Sequence, residues 1–282
     1  MMEWLLGPLA YPFMVRGVLA AIMVGVVCST LGVYIILQGM AFFGDALAHA
    51  VLPGVVLAFL AGWPLALGAL LFGILAAVGI GLLSEREEIR EDTAIGIVFA
   101  GSFALGVALL STVSGYATDL AHILFGNVLG VSTADLWTIL GLGALVLLVI
   151  VAFYKEFLIL CFDPTLAVVL RLPAKLLRYL LLVLIAITIV VALQTVGVAL
   201  LIAMLVTPAT TASLLTRRMS RMMFLAAGIG AASNVTGLYL SFYLNIASGP
   251  AMVLVATALF LVTLGLAPGR GILWQRLSAA QK

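Results

Sequence analysis

Charge is what this sequence has least of. Of its 282 residues only 9% are Asp, Glu, Lys or Arg, while 65% are hydrophobic; soluble domains run near a quarter charged and half apolar. The excess apolar surface must face lipid, which excludes a water-soluble domain. A formal net charge of +2 is too small to suggest nucleic acid, and no nucleic-acid partner is expected. Cys28 and Cys161 offer neither a disulfide framework nor zinc-ribbon spacing. No GxxxxGK[ST] phosphate loop occurs in the sequence, so any use of ATP falls to another chain. The N-terminus also lacks the basic region and small-residue cleavage site of a signal peptide, so the first long span is expected to insert and stay.

Apolar runs fill the rest. At about 20 residues per crossing, spans are expected near 14–37, 45–61, 64–83, 93–112, 134–153, 222–244 and 249–267. The run from 176 to 206 is too long for one upright helix. Gln194-Thr195-Val196-Gly197 interrupts it, so it divides into a full span and a shorter piece, and broken helices of this kind are common in transporters. Charge placement supports the split. All but Arg16 of the 13 Lys and Arg residues fall in four places: Arg86 and Arg90; Lys155, Arg171, Lys175 and Arg178; Arg217, Arg218 and Arg221; Arg270, Arg276 and Lys282. The positive-inside rule puts all four on the cytoplasmic face only if the long run crosses twice. The expected fold is therefore an all-α polytopic membrane protein, one transmembrane domain over 1–282, with about nine (eight to nine) spans and its N-terminus outside.

Ionisable residues inside such spans are costly, and they usually face a pathway or a partner. One stretch stands out: Gly44-Asp45-Ala46-Leu47-Ala48-His49-Ala50-Val51-Leu52-Pro53-Gly54. Asp45 and His49 are four residues apart, which on a helix puts both on one face, one turn apart. Pro53 cannot bond the His49 carbonyl, so a kink is expected beside the pair. Carboxylate and imidazole are ligands for zinc, manganese and iron, but buried polar pairs also hold helices together. The residues alone leave both open. Two ligands are too few for tight binding; symmetric pairing of two chains would supply four.

Other polar features are less specific. Ser84-Glu85-Arg86-Glu87 has capping-box spacing, and Glu91 and Asp92 suit the dipole of the helix that follows. Asp163 to Pro173 is expected to be a short helix, with Asp163 as N-cap, Pro164 in its first turn and Pro173 ending it; it either docks a partner or lies in the lipid interface. Thr207, Thr210, Thr211 and Asn234 are expected to bond neighbouring backbone rather than substrate. His122, near Asp119 in the outward connection, is expected to be a surface or mouth residue. With Asp135, Asp119 makes that mouth weakly attractive to cations.

These residues in this order resemble a known family. The 44–54 stretch is similar to the signature of the permease subunits of bacterial manganese/zinc/iron ABC importers. Glu91-Asp92-Thr93-Ala94-Ile95-Gly96-Ile97, Leu124-Phe125-Gly126-Asn127 with Val131-Ser132, Phe162-Asp163-Pro164 and Leu205-Val206-Thr207-Pro208-Ala209 match in the same order, from about Phe13 to about Leu266. The resemblance implies a type II importer fold, similar to cobalamin and siderophore permeases. It implies a homodimer in the bacterial cytoplasmic (inner) membrane, with two cytoplasmic ATP-binding subunits and an extracytoplasmic metal-binding protein. Asp45 and His49 map onto the family's pore ligands. The 162–173 segment, with Asp163, Pro164, Leu166, Leu170 and Pro173, maps onto its coupling helix, which favours ATPase docking there. Arg171 stands where relatives often have glycine, and Ala48 where they commonly have serine.

The expected function is then passage of a zinc, manganese or iron ion inward by alternating access, with ATP hydrolysed elsewhere. No permanent cofactor and no enzymatic activity are expected of this chain; Asp119 and His122 are candidates for the outer mouth. The alternatives are an ABC permease for a metal chelate of siderophore or cobalamin type, and a proton-coupled secondary carrier in which Asp45 and His49 titrate.

Overall fold

The computed structural model describes residues 7–86, 88–112 and 128–267. All regular structure in these residues is helical. Lipid offers backbone N–H and C=O groups no water, so each span must satisfy them internally. The α-helices are α1 (Pro12–Leu37), α2 (Phe43–Ala50), α3 (Leu52–Ala61), α4 (Leu65–Ser84), α5 (Glu91–Ser111) and α6 (Thr133–Ala152). They continue as α7 (Tyr154–Phe162), α8 (Pro164–Val169), α9 (Ala174–Val196), α10 (Val198–Leu215), α11 (Met219–Leu244) and α12 (Ser248–Leu266). Short 3₁₀ turns lie at Pro8–Ala10 and Val128–Gly130.

Among the described residues, eight segments are long and apolar enough to cross a bilayer, α2 and α3 together forming one of 19 residues, Phe43–Ala61. The long apolar run breaks at Gly197, whose φ of 80° and ψ of 167° lie in a region essentially reserved for glycine. Helix α10 runs past Val206 to Leu215 with Pro208 inside it. The hydroxyls of Thr210 and Thr211 donate to the carbonyls of Val206 and Thr207 at 2.8 and 2.7 Å, the local use expected of threonine in membrane helices.

The chain divides into two compact units. One gathers the described parts of 1–36, 127–140 and 202–282. Lipid tails are as apolar as leucine, so close backbone approach takes over from hydrophobic burial in packing helices. A Cβ on Gly32 of α1 would run into the Leu205 carbonyl of α10, and one on Gly25 would lie 2.7 Å from the Asn234 Nδ2 of α11. That Nδ2 donates to the Ala21 carbonyl at 2.9 Å; such interhelical bonds contribute about 0.6 kcal/mol on average. Asn234 is thus a packing residue.

The other unit holds the described parts of 37–126 and 141–201. Its tightest crossing is α3 on α4, where a Cβ on Gly54 would meet the Gly68 carbonyl and one on Gly68 the Gly54 carbonyl. Gly81 of α4 takes the Tyr179 ring of α9 against its backbone, and Gly106 of α5 takes the Leu52 side chain. Glycine at these points lets α3, α4, α5 and α9 surround α2.

Two local expectations need correction. Ser84 is no N-cap: its hydroxyl donates back to the Gly81 carbonyl at 3.1 Å in the last turn of α4. Helix α5 starts only at Glu91, behind Arg90, which supplies no side-chain cap; Glu87 lies outside the described residues. Glu91 and Asp92 do occupy the first turn of α5, where carboxylates suit the dipole. The second correction concerns α8, which stops at Val169, well before Pro173. Arg171 adopts a left-handed φ of 54°, and the Leu172 N–H reaches back to the Ala167 carbonyl at 2.9 Å. That is a Schellman closure, which normally uses glycine at the left-handed position. Pro173 instead sits at the N-cap of α9.

Candidate metal site

Helix α2 presents the candidate pair. The chain turns through Gly39 at φ 75°, and the Phe43 N–H closes onto the Met40 carbonyl at 2.9 Å. This starts α2 just ahead of Asp45. Asp45 therefore lies in the first turn of α2 and His49 in its last, each at the end its charged form prefers. The α2/α3 boundary falls at Val51, with Pro53 in the first turn of α3. Val51 stays in right-handed helical geometry, so the two pieces make one interrupted span.

His49 Nε2 lies 3.6 Å from Asp45 Oδ1. That is too long for a hydrogen bond but short enough for both groups to address one ion. Their side chains remain 28% (His49) and 40% (Asp45) accessible, so neither is sealed in a core. The His49 ring meets Phe99 and Phe103 of α5 edge-on, with centroids 5.7 Å away in both cases, and the two phenyl rings stack at 5.9 Å. This aromatic wall orients the imidazole without offering it a competing acceptor.

Asp45 opens on a cavity of about 530 Å³, shared with Gly39, Phe42, Ala46 and, from α5, Asp92, Gly96 and Phe99. Among the described residues no group of three or more His, Cys, Asp or Glu side chains converges on one point. Among the described His, Cys, Asp and Glu side chains, this place therefore offers one carboxylate and one imidazole side by side.

The chain matches the model of the ABC 3 transport family over residues 10–267. It belongs to the ABC 3 transport family. The manganese transport system membrane protein MntC of Listeria monocytogenes is 46% identical over 275 residues, covering 98% of each chain. The chelated iron transport system membrane protein YfeD of Yersinia pestis is 46% identical over 259 residues, covering 91% of this chain and 86% of its own. Among solved structures, PsaBC from Streptococcus pneumoniae in complex with Fab superposes with a TM-score of 0.86 at 40% identity, covering 100% of this chain and 99% of that one. As a member of the ABC 3 transport family, the chain is the membrane-embedded translocation component of an ABC transporter. It is a multi-pass protein of the bacterial cytoplasmic membrane.

Asp119 and His122 fall outside the described residues. Asp135 forms a reciprocal cap with Ser132, which donates to its carboxylate through N–H at 2.9 Å and through its hydroxyl at 2.7 Å, and this cap starts α6. Asp163 caps α8 as expected, taking the Leu166 N–H at 3.0 Å and the Thr165 hydroxyl. These bonds hold its carboxyl below the ordinary range. Leu166, Val169 and Leu170 are all exposed at the i, i+3, i+4 spacing of one helix face; Leu166 and Leu170 were anticipated and Val169 was not.

Sequence reading also passed over Phe99, Phe103 and the cavity-lining role of Asp92. The signal was present, since positions 92, 96, 99 and 103 follow the spacing of one face of α5. It was hidden because an apolar helix in lipid shows no amphipathic contrast.

Proposed function

We propose that this chain is the permease through which a divalent transition-metal ion is imported, with Asp45 and His49 of each protomer holding it in transit. The observation that carries this reading is the half-open Asp45/His49 pair on an interrupted span, in a chain whose relatives are named for manganese and iron transport. Two ligands per chain favour a site shared across a homodimer. A site with few strong ligands also suits transport, since the ion must leave as readily as it enters. ATP is hydrolysed by two cytoplasmic subunits that dock on the exposed face of α8, and the ion is delivered by an extracytoplasmic binding protein. Manganese and iron are the cargoes suggested by the relatives, and zinc fits the same ligand chemistry.

The test is metal uptake by proteoliposomes carrying the assembled complex. Asp45→Ala and His49→Ala are each expected to cut Mn²⁺ uptake at least about tenfold, the lower end of what disturbing a metal site costs, with the complex still assembled. Uptake that survives both changes would sink the reading. A proton-coupled carrier predicts uptake without any ATPase subunit, whereas the proposed importer shows none. A second reading, transport of a metal chelate, draws on the size of the cavity beside Asp45; it predicts that chelate uptake survives both substitutions.

A further inference from the structure

We propose that the Arg178–Glu91 ion pair is the link through which the ATPase-docking segment moves the aromatic wall of the Asp45/His49 site, making both residues positioning residues for transport. The inference rests on the importer reading above and adds to it the route by which α8 reaches the ion.

The route runs along the backbone into α9 and then through side-chain hydrogen bonds. After the left-handed turn at Arg171, the chain enters α9 at Ala174, with Pro173 as N-cap. Lys175, Arg178 and Tyr179 are three and four residues apart, so they share one face of the first turns of α9. Arg178 Nη2 donates to Glu91 Oε1 at 2.8 Å and to the Ser84 hydroxyl at 3.0 Å. One guanidinium therefore joins the end of α4, the start of α5 and the start of α9. Beside it, Glu85 accepts from Lys175 Nζ at 3.0 Å and from the Tyr179 hydroxyl at 2.9 Å.

The placement runs against helix electrostatics. Lys175 and Arg178 sit near the N-terminus of α9, where the dipole disfavours cations; Glu91 sits at the N-terminus of α5, where the dipole favours it. The positive-inside rule accounts for basic residues in this layer. It does not account for a guanidinium aimed at the first residue of α5. Both partners of the Arg178–Glu91 pair are about two-thirds shielded, at 33% and 32% accessibility, whereas Lys175 is 80% accessible. The shielded pair is therefore the stiffer connection and the Lys175 pair the looser one.

Beyond Glu91, α5 is an uninterrupted helix to Ser111. Phe99 lies about 12 Å along it at 1.5 Å per residue, and Phe103 one turn further. A shift of α9 at its start is thus delivered through Arg178 to α5, and by α5 to the two rings against which His49 rests.

The experiment measures Mn²⁺ transported per ATP hydrolysed by the complete complex in proteoliposomes. Arg178→Gln is expected to lower that ratio about tenfold, within the range of ordinary coupling between distant sites, while ATP turnover persists. Lys175→Gln should stay within about twofold, as an exposed pair does. The double change Arg178→Glu with Glu91→Arg keeps the charges of this layer and should recover most of the ratio. An unchanged ratio in Arg178→Gln overturns the link, as does a fall in transport and hydrolysis together that the double change fails to recover. Should Arg178→Gln not assemble, Glu91→Gln is read by the same criteria. Failure of the importer reading is seen separately, as Mn²⁺ uptake that survives Asp45→Ala.

Discussion

Arg171 holds a left-handed backbone conformation that costs a non-glycine residue about 1–2 kcal/mol, and its side chain is exposed. Among the described residues no hydrogen bond or ion pair of that side chain repays the strain. Arg171→Gly is therefore expected to raise stability by up to about 1 kcal/mol after the entropy glycine costs in the unfolded chain. Arg171→Val should lower it by more than about 1 kcal/mol, because a β-branched residue is a true outlier at positive φ. Thermal unfolding of the detergent-solubilised protein checks both; a valine variant as stable as the parent would contradict the assigned geometry. The side-chain chemistry at 171 is incidental, and the backbone of α8's exit is what the position serves.

At the scale of elements, α8 depends on one carboxylate. Asp163 receives the Thr165 hydroxyl and the Leu166 N–H, and its pKa is lowered as a result. A depressed folded-state pKa means the stabilisation is complete above the unfolded aspartate value of about 3.9 and is lost as pH falls through the lower folded value. Hydrogen-exchange protection at the Leu166 amide is expected to hold from pH 7 to pH 5 and to drop below about pH 4. Asp163→Asn, still a good cap, should keep most of the protection and lose its pH dependence. Asp163→Ala should lose protection throughout.

Much of this element was legible in advance, since Asp163-Pro164 is a capping pair that works through local bonds. Its end was not, because Pro173 is a visible stop signal while a left-handed arginine carries none. The same contrast holds elsewhere. Apolar run length and charge placement located the spans, and the break at Gly197 was visible because glycine is the residue such a backbone needs. Ser84 misled because capping-box spacing is a local rule, and here the hydroxyl is engaged by its own helix and by Arg178 from a distant part of the chain. The aromatic wall of Phe99 and Phe103 did not stand out from the rest of α5, since beyond its first turn the other faces of that helix are apolar as well.

For the whole molecule the deciding quantity is the number of ligands. On the proposed reading Asp45 and His49 supply two, and no third His, Cys, Asp or Glu joins them among the described residues. A manganese ion prefers about six oxygen or nitrogen ligands, so a single protomer would leave most of its shell to water and bind weakly. In the proposed homodimer, two protomers related by a twofold axis would supply two carboxylates and two imidazoles, and two waters would complete the shell. The purified complex is then expected to retain one Mn²⁺ for every two copies of this chain, measured by elemental analysis against protein mass. His49→Ala in only one of the two copies, made with differently tagged chains, should weaken retention by an amount between those of the parent and the doubly substituted complex. A site confined to one protomer gives a different pattern: one ion per chain in the parent, and half of that, held at parental affinity, in the mixed complex. The mixed complex decides because a shared ion senses the loss of one imidazole at every site, whereas private ions leave half the sites untouched.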